Sequence, residues 1–401
     1  MPNRQTRTSV LLKAPVTSER SRVNFSKQAM QDAKRIALIN PTKFLGNLLL
    51  AGGLIQQLGD WCVRHDKQLL IVLDEGFEEL FSGAFPAAQY VFYPRKALLP
   101  GLPIWAALRV WLKCIRQIRA FNADVAFNIE EDSVSHRLTH FSGARWKVSS
   151  TTHRYHFGFN EVMDVVRNHR PASEQSIWYS FADVISSLGV PVLGVPAYVH
   201  LHLDRPDAER MSRFQRLGLS ARHPLLLMHA GASKSYKQWP AAHFSDVAHR
   251  AIQSGYQVVL IGAGALDQQV NLQIGTEVRR RFQLLNGDEV ADCIDLCNQL
   301  SLLDLASLML ISHQILGNDS GPSHLASALG LSGVVIFGPT DLAIWRPLGE
   351  QTAVMDSKSS CEASCTRHHC RLNYRCLSDI TPQRVIEQMN LAEESTKGKP
   401  L

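Results

Sequence analysis

The sequence predicts an α/β protein built from two doubly wound domains. Short apolar runs alternate with amphipathic helical segments along most of the 401 residues, and this alternation indicates parallel sheets covered by helices on both faces. Polar and small residues gather where the predicted strands end, which is the edge at which such sheets bind ligands. The length suits two domains of about 100–200 residues each.

The composition narrows the class of protein. A hydrophobic share of 45% with 19% charged residues is typical of a soluble globular protein with a large core. No apolar run reaches the roughly 18 residues that cross a bilayer, and the polar, basic start of the chain lacks the apolar core of a signal peptide. We therefore expect a cytoplasmic protein. The net charge of +6 favours anionic substrates or an anionic membrane surface, and no basic-aromatic cluster indicates nucleic-acid binding.

The first domain is predicted to span 34–200, after a mobile N-terminal extension over 1–33. Its predicted strands are 35–39, 69–73, 90–93, 124–129 and 146–148. Its predicted helices are 48–64, 77–82, 105–121, 133–142 and 173–188. A stretch interrupted by Pro191 and Pro196 follows, so we place the domain junction near 190–215.

The second domain is predicted to span 201–390 and to include a Cys-rich tail segment. Its predicted strands are 224–228, 257–261, one that ends at 284–287, 311–316 and 334–337. Its predicted helices include 204–217, 241–254, 301–309 and one that starts at Pro322. Ser320 suits the N-cap of that last helix, and Gly330 suits its end. Backbone N–H groups and the positive end of this helix predict an anion site, and a phosphate is its usual occupant.

The residues around this turn are specific enough to identify a family. The run from Gly317 to Gly330, followed by Phe337–Asp341 and Trp345, resembles glycosyltransferase family 9, the lipopolysaccharide heptosyltransferases. Further matches at 36–54, 230–240 and 376–382 extend the resemblance to about 34–390. It implies the GT-B fold, in which two Rossmann-like domains face a central cleft. The first domain would bind the acceptor and the second the nucleotide sugar.

The resemblance also implies a reaction. It is the inverting transfer of a heptose from ADP-heptose to the lipopolysaccharide inner core, with no metal and no other cofactor. The expected partners are the nucleotide-sugar donor and the core acceptor at the inner leaflet, which would make the protein peripheral on the cytoplasmic face of the inner membrane. No residue reports the sugar directly, so another nucleotide sugar stays open. An NAD-type enzyme is disfavoured because Gly262-Ala-Gly264 lacks a third glycine.

The predicted donor site follows from the charge that a departing nucleoside diphosphate develops, which protein groups must stabilise. Backbone N–H groups of Ser320 and Gly321 suit this role, and Lys237 matches the family's phosphate-binding lysine. Asp319 matches the family's acidic residue near the donor sugar hydroxyls. The other predicted donor-binding residues are Ser233, Thr340, Gly262 and Asp267, the last two for the ribose, and His324, which binds a phosphate or packs the turn.

The main departure from the family is Asn47. The family has an aspartate at this position, taken as the general base, and an amide has no useful basicity near neutral pH. The base could be another carboxylate, the acceptor could supply its own, or the protein could be a catalytically silent nucleotide-sugar-binding protein. The candidate carboxylates are Asp74, Glu75, Glu130, Glu131 and Asp132. We predict that Asn47 positions the acceptor and that Glu130 or Glu131 is the base.

Two further patterns leave alternatives open. Cys361, Cys365, Cys370 and Cys376, with His368 and His369 between them, lack the paired spacing of structural zinc sites. We predict reduced thiols rather than a metal there. Cys293 and Cys297 are predicted to share a helix face in the core. The basic helix from Leu108 to Arg119 is either a solvated face or a surface for an anionic membrane.

Overall fold

Two parallel sheets of six strands each form the framework of the protein. The structure is a computed structural model that describes residues 27–98, 103–130, 132–150, 159–162, 174–286, 292–357 and 370–391. The first sheet contains β1 (Arg35–Ile39), β2 (Gln68–Asp74), β3 (Ala88–Tyr93), β4 (Val125–Phe127), β5 (Trp146–Ser149) and β6 (Glu161–Val162). The second contains β7 (Leu225–His229), β8 (Gln257–Leu260), β9 (Cys293–Asp295), β10 (Gln314–Asn318), β11 (Gly333–Ile336) and β12 (Thr352–Met355).

Helices cover both faces of each sheet. The first domain has α1 (27–32), α2 (Leu45–Arg64), α3 (Glu78–Phe81), α4 (Ile104–Ala120), α5 (Ser133–Phe141) and α6 (Ile177–Ser187). The second has α7 (Ala208–Arg216), α8 (Ala241–Gln253), α9 (Ala265–Asn286), α10 (Leu302–Met309), α11 (Gly321–Ala328), α12 (Leu342–Trp345), α13 (Arg375–Ser378) and α14 (Pro382–Gln388). None of these described helices is both long and apolar enough to cross a membrane.

The two sheets share one topology, which confirms the prediction of two doubly wound units. The strand order is β3-β2-β1-β4-β5-β6 in the first sheet and β12-β11-β10-β7-β8-β9 in the second. Each order changes direction at its centre, between β1 and β4 and between β7 and β10. A crevice opens beyond the carboxyl ends of the strands at such a point. The central strands are continuous apolar runs because both of their faces are covered, and all five residues of β7 are buried.

Two boundaries near the predicted site differ from the sequence prediction. Helix α2 begins at Leu45, three residues before the predicted start, so Asn47 lies in the first turn of the helix rather than in the preceding loop. Strand β10 continues through Gly317 and Asn318, so the turn that was predicted to begin at Gly317 begins at Asp319. Gly317 allows this because a Cβ there would lie 2.7 Å from the Ser323 hydroxyl oxygen.

Three other predictions are wrong. Residues 284–286 belong to α9 rather than to a strand, because buried Ile274, Val278 and Phe282 continue one helical face at four-residue spacing. The third strand of that sheet is β9, so Cys293 lies in a strand and does not share a helix face with Cys297. The extension predicted over 1–33 is wrong from residue 27 onwards, where α1 and the buried side chain of Met30 join the first domain.

The two domains contact each other through α2 and α11. One continuous hydrophobic cluster includes Leu54 of α2, Leu308 of α10 and Leu325 of α11. The segment between the domains packs along α2 at a pair of glycines, since a Cβ on Gly52 would lie 2.6 Å from Val199 and one on Gly53 would lie 2.5 Å from a backbone oxygen. The direct contact between α2 and α11 brings the first turns of these two helices to the same place.

Candidate active site

A cavity of about 660 Å³ lies between the two domains. The first domain lines it with Lys43, Phe44, Leu45, Gly46, Asn47 and Phe77. The predicted site residues that line it from the second domain are Ser233, Lys237, Asp267, Asp319, Ser320, Gly321, His324 and Thr340. These residues follow β1, β2, β7, β8, β10 and β11, so the cavity lies at the carboxyl edges of both sheets. The structure thus brings the predicted donor residues together with Asn47.

An ion pair lies in the wall of the cavity that the second domain forms. The Lys237 ammonium group donates to the Asp319 carboxylate at 2.6 Å. Asp319 directly follows β10 and is held by a backbone bond from its N–H to the carbonyl of Ile336 at 3.0 Å. Because an ammonium group has three donors, Lys237 can keep this bond and still bind a phosphate oxygen.

The first turns of α2 and α11 approach each other closely at the cavity. A Cβ on Gly46 would lie 2.8 Å from the His324 ring, and a Cβ on Gly321 would lie 3.1 Å from Leu45. Glycine therefore permits this approach from both sides. The positive ends of two helices face the same space, which suits an anion.

Ser320 occupies the N-cap position of α11, as predicted, but its side chain does not cap the helix. Its hydroxyl lies 3.0 Å from Nδ1 of His229, whose Nε2 lies 3.4 Å from the Asp267 carboxylate. His229 also lines the cavity and is 5% exposed. Sequence reasoning missed this residue, although a polar side chain at the end of a central apolar strand is a usable signal.

Asp267 is held in its ionised form by these neighbours. Burial alone would raise its pKa, but the hydrogen bond and charge of His229 and the N–H of Ala263 hold the pKa below its usual value. The Ala263 bond is 2.9 Å long. Two glycines leave room for this carboxylate, because a Cβ on Gly231 would lie 1.9 Å from it and one on Gly262 would lie 2.6 Å from its Cβ. Gly262 thus packs against Asp267. Asp267 lines the cavity, whereas Gly262 is not among the described residues that line it.

His324 is a neutral imidazole in the wall of the cavity. It is 3% exposed, and burial lowers its pKa to about 4. Its Nδ1 lies 3.0 Å from the hydroxyl of Tyr198, which itself accepts from the N–H of Leu348 at 3.1 Å. Burial raises the pKa of Tyr198 to about 12, so the phenol keeps its proton at neutral pH. The hydrogen bond between Tyr198 and His324 therefore joins two neutral groups.

This arrangement bears on the two roles predicted for His324. The packing role is present, because the ring joins the interdomain segment to α11 and contacts Gly46 across the cleft. The phosphate contact stays a prediction, for which a ring N–H group of His324 would be the donor. Thr340 offers a second such group: it is 4% exposed, lines the cavity, and its hydroxyl has no hydrogen-bond partner among the described residues. An unpaired buried hydroxyl costs about 1–3 kcal/mol, so a ligand group there would be stabilised.

Across the cleft, Asn47 contacts Glu130. The Asn47 amide donates to Oε2 of Glu130 at 3.1 Å. Glu130 follows β4, the neighbour of β1, and is 7% exposed. Burial, assisted by the charge of Asp132, raises its pKa to about 7, although the hydrogen bond from Asn47 opposes the shift. Its other oxygen, Oε1, is enclosed and has no partner among the described residues. Glu131 lies outside the described residues.

The other carboxylates that were candidates for the base serve the local structure. Asp74 pairs with Arg95, and Glu75 accepts from the backbone N–H of Lys96 at 2.6 Å. Asp132 caps α5 by accepting from two backbone N–H groups at 2.8 and 3.0 Å. Glu130 is the one that contacts Asn47 and titrates near neutral pH, which is the property that a general base needs.

The structure describes only part of the Cys-rich segment. Four of its residues lie outside the described residues, namely Cys361, Cys365, His368 and His369. Cys370 accepts from the backbone N–H of Tyr374 at 3.1 Å, and Cys376 is 3% exposed in the core. Within the described part of the chain, no cluster of three or more His, Cys, Asp or Glu residues could hold a metal ion. The expectation of free thiols stays a prediction.

Comparison with protein-family models matches residues 111–374 to glycosyltransferase family 9 (heptosyltransferase). Among curated proteins, the chain is 30% identical over 185 residues to lipopolysaccharide heptosyltransferase 2 of Escherichia coli K12, covering 46% of this chain and 51% of that protein. It is 26% identical over 278 residues to lipopolysaccharide heptosyltransferase 3 of the same strain, covering 69% and 76%. The chain thus spans about half the length of the first of these relatives.

Solved structures share the fold over most of the chain. The E. coli ADP-heptose lipopolysaccharide heptosyltransferase II has a TM-score of 0.66 at 21% identity, covering 89% of this chain and 97% of that one. A glycosyltransferase family 9 protein from Veillonella parvula has a TM-score of 0.68 at 20% identity, with the same coverage. These neighbours confirm the GT-B fold that the sequence predicted.

Proposed function

The chain belongs to glycosyltransferase family 9, and we propose that it transfers a heptose from ADP-heptose to the lipopolysaccharide inner core with inversion at the anomeric carbon. One observation carries the proposal. The cavity between the domains has a cation and a helix N-terminus on one side, and on the other an amide bonded to a carboxyl group that titrates near pH 7. The cation and the helix N-terminus suit a diphosphate leaving group, and the carboxyl group with its amide partner suits activation of an acceptor hydroxyl.

On the donor side, Lys237 and the N–H groups at the start of α11 would bind the diphosphate. Negative charge grows on the phosphate oxygen as the bond to the sugar breaks, and these fixed donors stabilise it. The Thr340 hydroxyl and a ring N–H group of His324 would add two more donors at the cavity. Asp319 and Asp267 offer carboxyl oxygens as acceptors for sugar hydroxyls, Asp319 for the heptose and Asp267 for the ribose.

On the acceptor side, Glu130 would act as the base. The acceptor O–H bond breaks and its proton passes to Glu130 while the oxygen attacks the anomeric carbon. The bond from that carbon to the phosphate oxygen breaks, and ADP leaves with the electron pair. Attack from the first domain and departure toward the second produce inversion. Asn47 lines the cavity and holds Oε2 of Glu130, so it orients the base and the acceptor but does not take the proton.

The proposal also includes the partners of the protein, its location and the absence of a metal requirement. The donor and the lipid acceptor are the two partners, and the acceptor places the protein at the cytoplasmic face of the inner membrane. We expect transfer to proceed without a metal, because Lys237 and the helix N-terminus supply positive charge to the leaving group.

The test compares binding with turnover. ADP should raise the melting temperature of the protein more than UDP or GDP does, and ADP-heptose should be consumed when core lipid acceptor is present, with or without EDTA. Stabilisation by ADP without consumption would instead support the catalytically silent alternative. Greater stabilisation by UDP or GDP would show that another nucleotide sugar is the donor.

A further inference from the structure

The first two turns of α4 expose large apolar side chains. Ile104 is 87% exposed, Trp105 is 61% exposed and Leu108 is 51% exposed. The buried residues of α4, which are Cys114, Ile115 and Ile118, all lie in the second half of the helix. The apolar character of the helix therefore continues past the part that packs on the sheet, which calls for a partner.

Positive charge accompanies these side chains. Helix α4 carries four basic residues and no acidic residue, and all four are exposed: Arg109, Lys113, Arg116 and Arg119. The Arg109 guanidinium lies 5.0 Å from the centre of the Trp105 ring. A solvated helix face usually mixes charges of both signs. We call Ile104, Trp105, Leu108, Arg109, Lys113 and Arg116 the α4 surface.

The combination distinguishes this surface from the exposed apolar residues between the domains. Leu193 and Val195, in the segment between the domains, are 68% and 74% exposed, but 190–200 contains no lysine or arginine. Apolar side chains with adjacent cations and an interfacial tryptophan are the signature of a helix that lies on an anionic bilayer. The acyl boundary takes the apolar groups, and the headgroup phosphates attract the cations.

The position of α4 agrees with this partner. A helix that follows a parallel strand begins at the carboxyl edge of the sheet, and α4 follows β3. Its exposed apolar residues therefore lie at the edge that also carries Asn47 and Glu130. We propose that the α4 surface binds the anionic face of a phospholipid bilayer and so sets the first domain against the membrane with its acceptor side toward the lipid. This contact goes beyond the transfer reaction and does not require it.

The experiment measures binding of the full-length protein to vesicles by sedimentation. Wild type should bind vesicles of phosphatidylcholine with added phosphatidylglycerol and should not bind phosphatidylcholine alone. Lys113→Gln with Arg116→Gln should weaken binding roughly 25-fold, because each cation near such a surface contributes about fivefold. The matched control neutralises two exposed arginines of the second domain, Arg216→Gln with Arg222→Gln, and should leave binding unchanged.

A second pair of variants tests the apolar part of the surface. Ile104→Ser with Leu108→Ser should weaken binding by more than about tenfold, whereas Leu193→Ser with Val195→Ser should not. Vesicles with brominated acyl chains should quench the fluorescence of wild type, and Trp105→Phe should remove most of that quenching. Circular dichroism and the melting shift with ADP check that each variant is folded.

Three results would overturn the proposal. They are wild type that does not bind anionic vesicles, α4 variants that bind as wild type does, and a wild-type dimer that Ile104→Ser with Leu108→Ser dissociates. The last would show that the α4 surface binds a second copy of the chain. Because none of these measurements needs turnover, failure of the membrane contact can be told apart from failure of the proposed transfer reaction.

Discussion

Replacing Glu130 with glutamine should change both stability and turnover, and the stability change has a specific dependence on pH. The folded carboxyl has a pKa of about 7, whereas the unfolded value is 4.5. Between these two values the folded chain binds a proton that the unfolded chain has released. Stability therefore falls as pH rises through this window, and the full penalty is present above about pH 7.

The magnitude follows from the shift. At about 1.36 kcal/mol for each pKa unit, the ionised carboxyl costs roughly 3 kcal/mol in the folded state at alkaline pH. Glutamine has no charge to bury, and its carbonyl oxygen can still accept from Asn47. The free energy of unfolding of Glu130→Gln, relative to wild type, should therefore rise by roughly 2.5 kcal/mol between about pH 5 and about pH 8. Taking the difference between two pH values removes the constant cost of burying the amide.

The assay is urea unfolding of both proteins at each pH, combined with donor consumption. As the base, Glu130 should be essential, so Glu130→Gln should lower turnover by about 10²–10⁴-fold. The control is Glu79→Gln, which replaces an exposed carboxyl group on α3. Its free energy of unfolding should stay within about 0.5 kcal/mol of the wild-type value at both pH values. If the difference in free energy of unfolding between Glu130→Gln and wild type is the same at pH 5 and pH 8, the raised pKa of Glu130 is refuted. If Glu130→Gln keeps its turnover, the role of Glu130 as the base is refuted.

Three other substitutions test the remaining contacts. Lys237→Ala should weaken ADP binding by about 10–100-fold in calorimetry, because a charged hydrogen bond is lost and Asp319 is left unpaired. Tyr198→Phe removes the bond to His324 and should lower the free energy of unfolding by about 1–2 kcal/mol in urea. Gly53→Ala places a Cβ 2.5 Å from a backbone oxygen of the interdomain segment and should lower the melting temperature, at a cost of about 1–3 kcal/mol.

Matched variants separate these effects from general damage. Gly59→Ala lies on the same helix as Gly53, and its nearest neighbour would be 3.9 Å away, so it should be neutral or stabilising. Lys237→Arg keeps the charge and should retain more ADP affinity than Lys237→Ala. If Gly53→Ala melts at the same temperature as Gly59→Ala, the close packing at Gly53 does not matter for stability. If Lys237→Ala binds ADP as wild type does, Lys237 does not bind the diphosphate.

Much of the fold could be predicted from the sequence because the central strands are continuous apolar runs. Strands β1 and β7 are of this kind, and the glycine and proline signals around α11 placed its ends within about two residues. The long helix α9 was divided wrongly, because its last residues include a pair of leucines that also suits a strand. Strand β6 has only two residues, which is too short for a pattern of alternation.

The candidate site was predictable as a set of residues but not as a set of contacts. Lys237 and Asp319 were both found, yet their 2.6 Å bond depends on β7 and β10 being neighbours. The Asn47–Glu130 contact joins residues that are 83 positions apart, and it depends on β4 lying beside β1. Periodicity reveals strands, whereas strand order is decided by packing. The sequence could therefore propose five carboxylates without showing which of them contacts Asn47.

The facing first turns of α2 and α11 have a consequence for how a ligand joins the two domains. Each helix end carries a partial positive charge of about half a unit, and two like charges that face one cavity repel each other. A diphosphate in the cavity reverses the sign of that interaction, so the ligand itself strengthens the contact between the domains. The gain should depend on the charge of the ligand more than on its sugar. Inorganic pyrophosphate alone should therefore raise the melting temperature of the protein more than adenosine does.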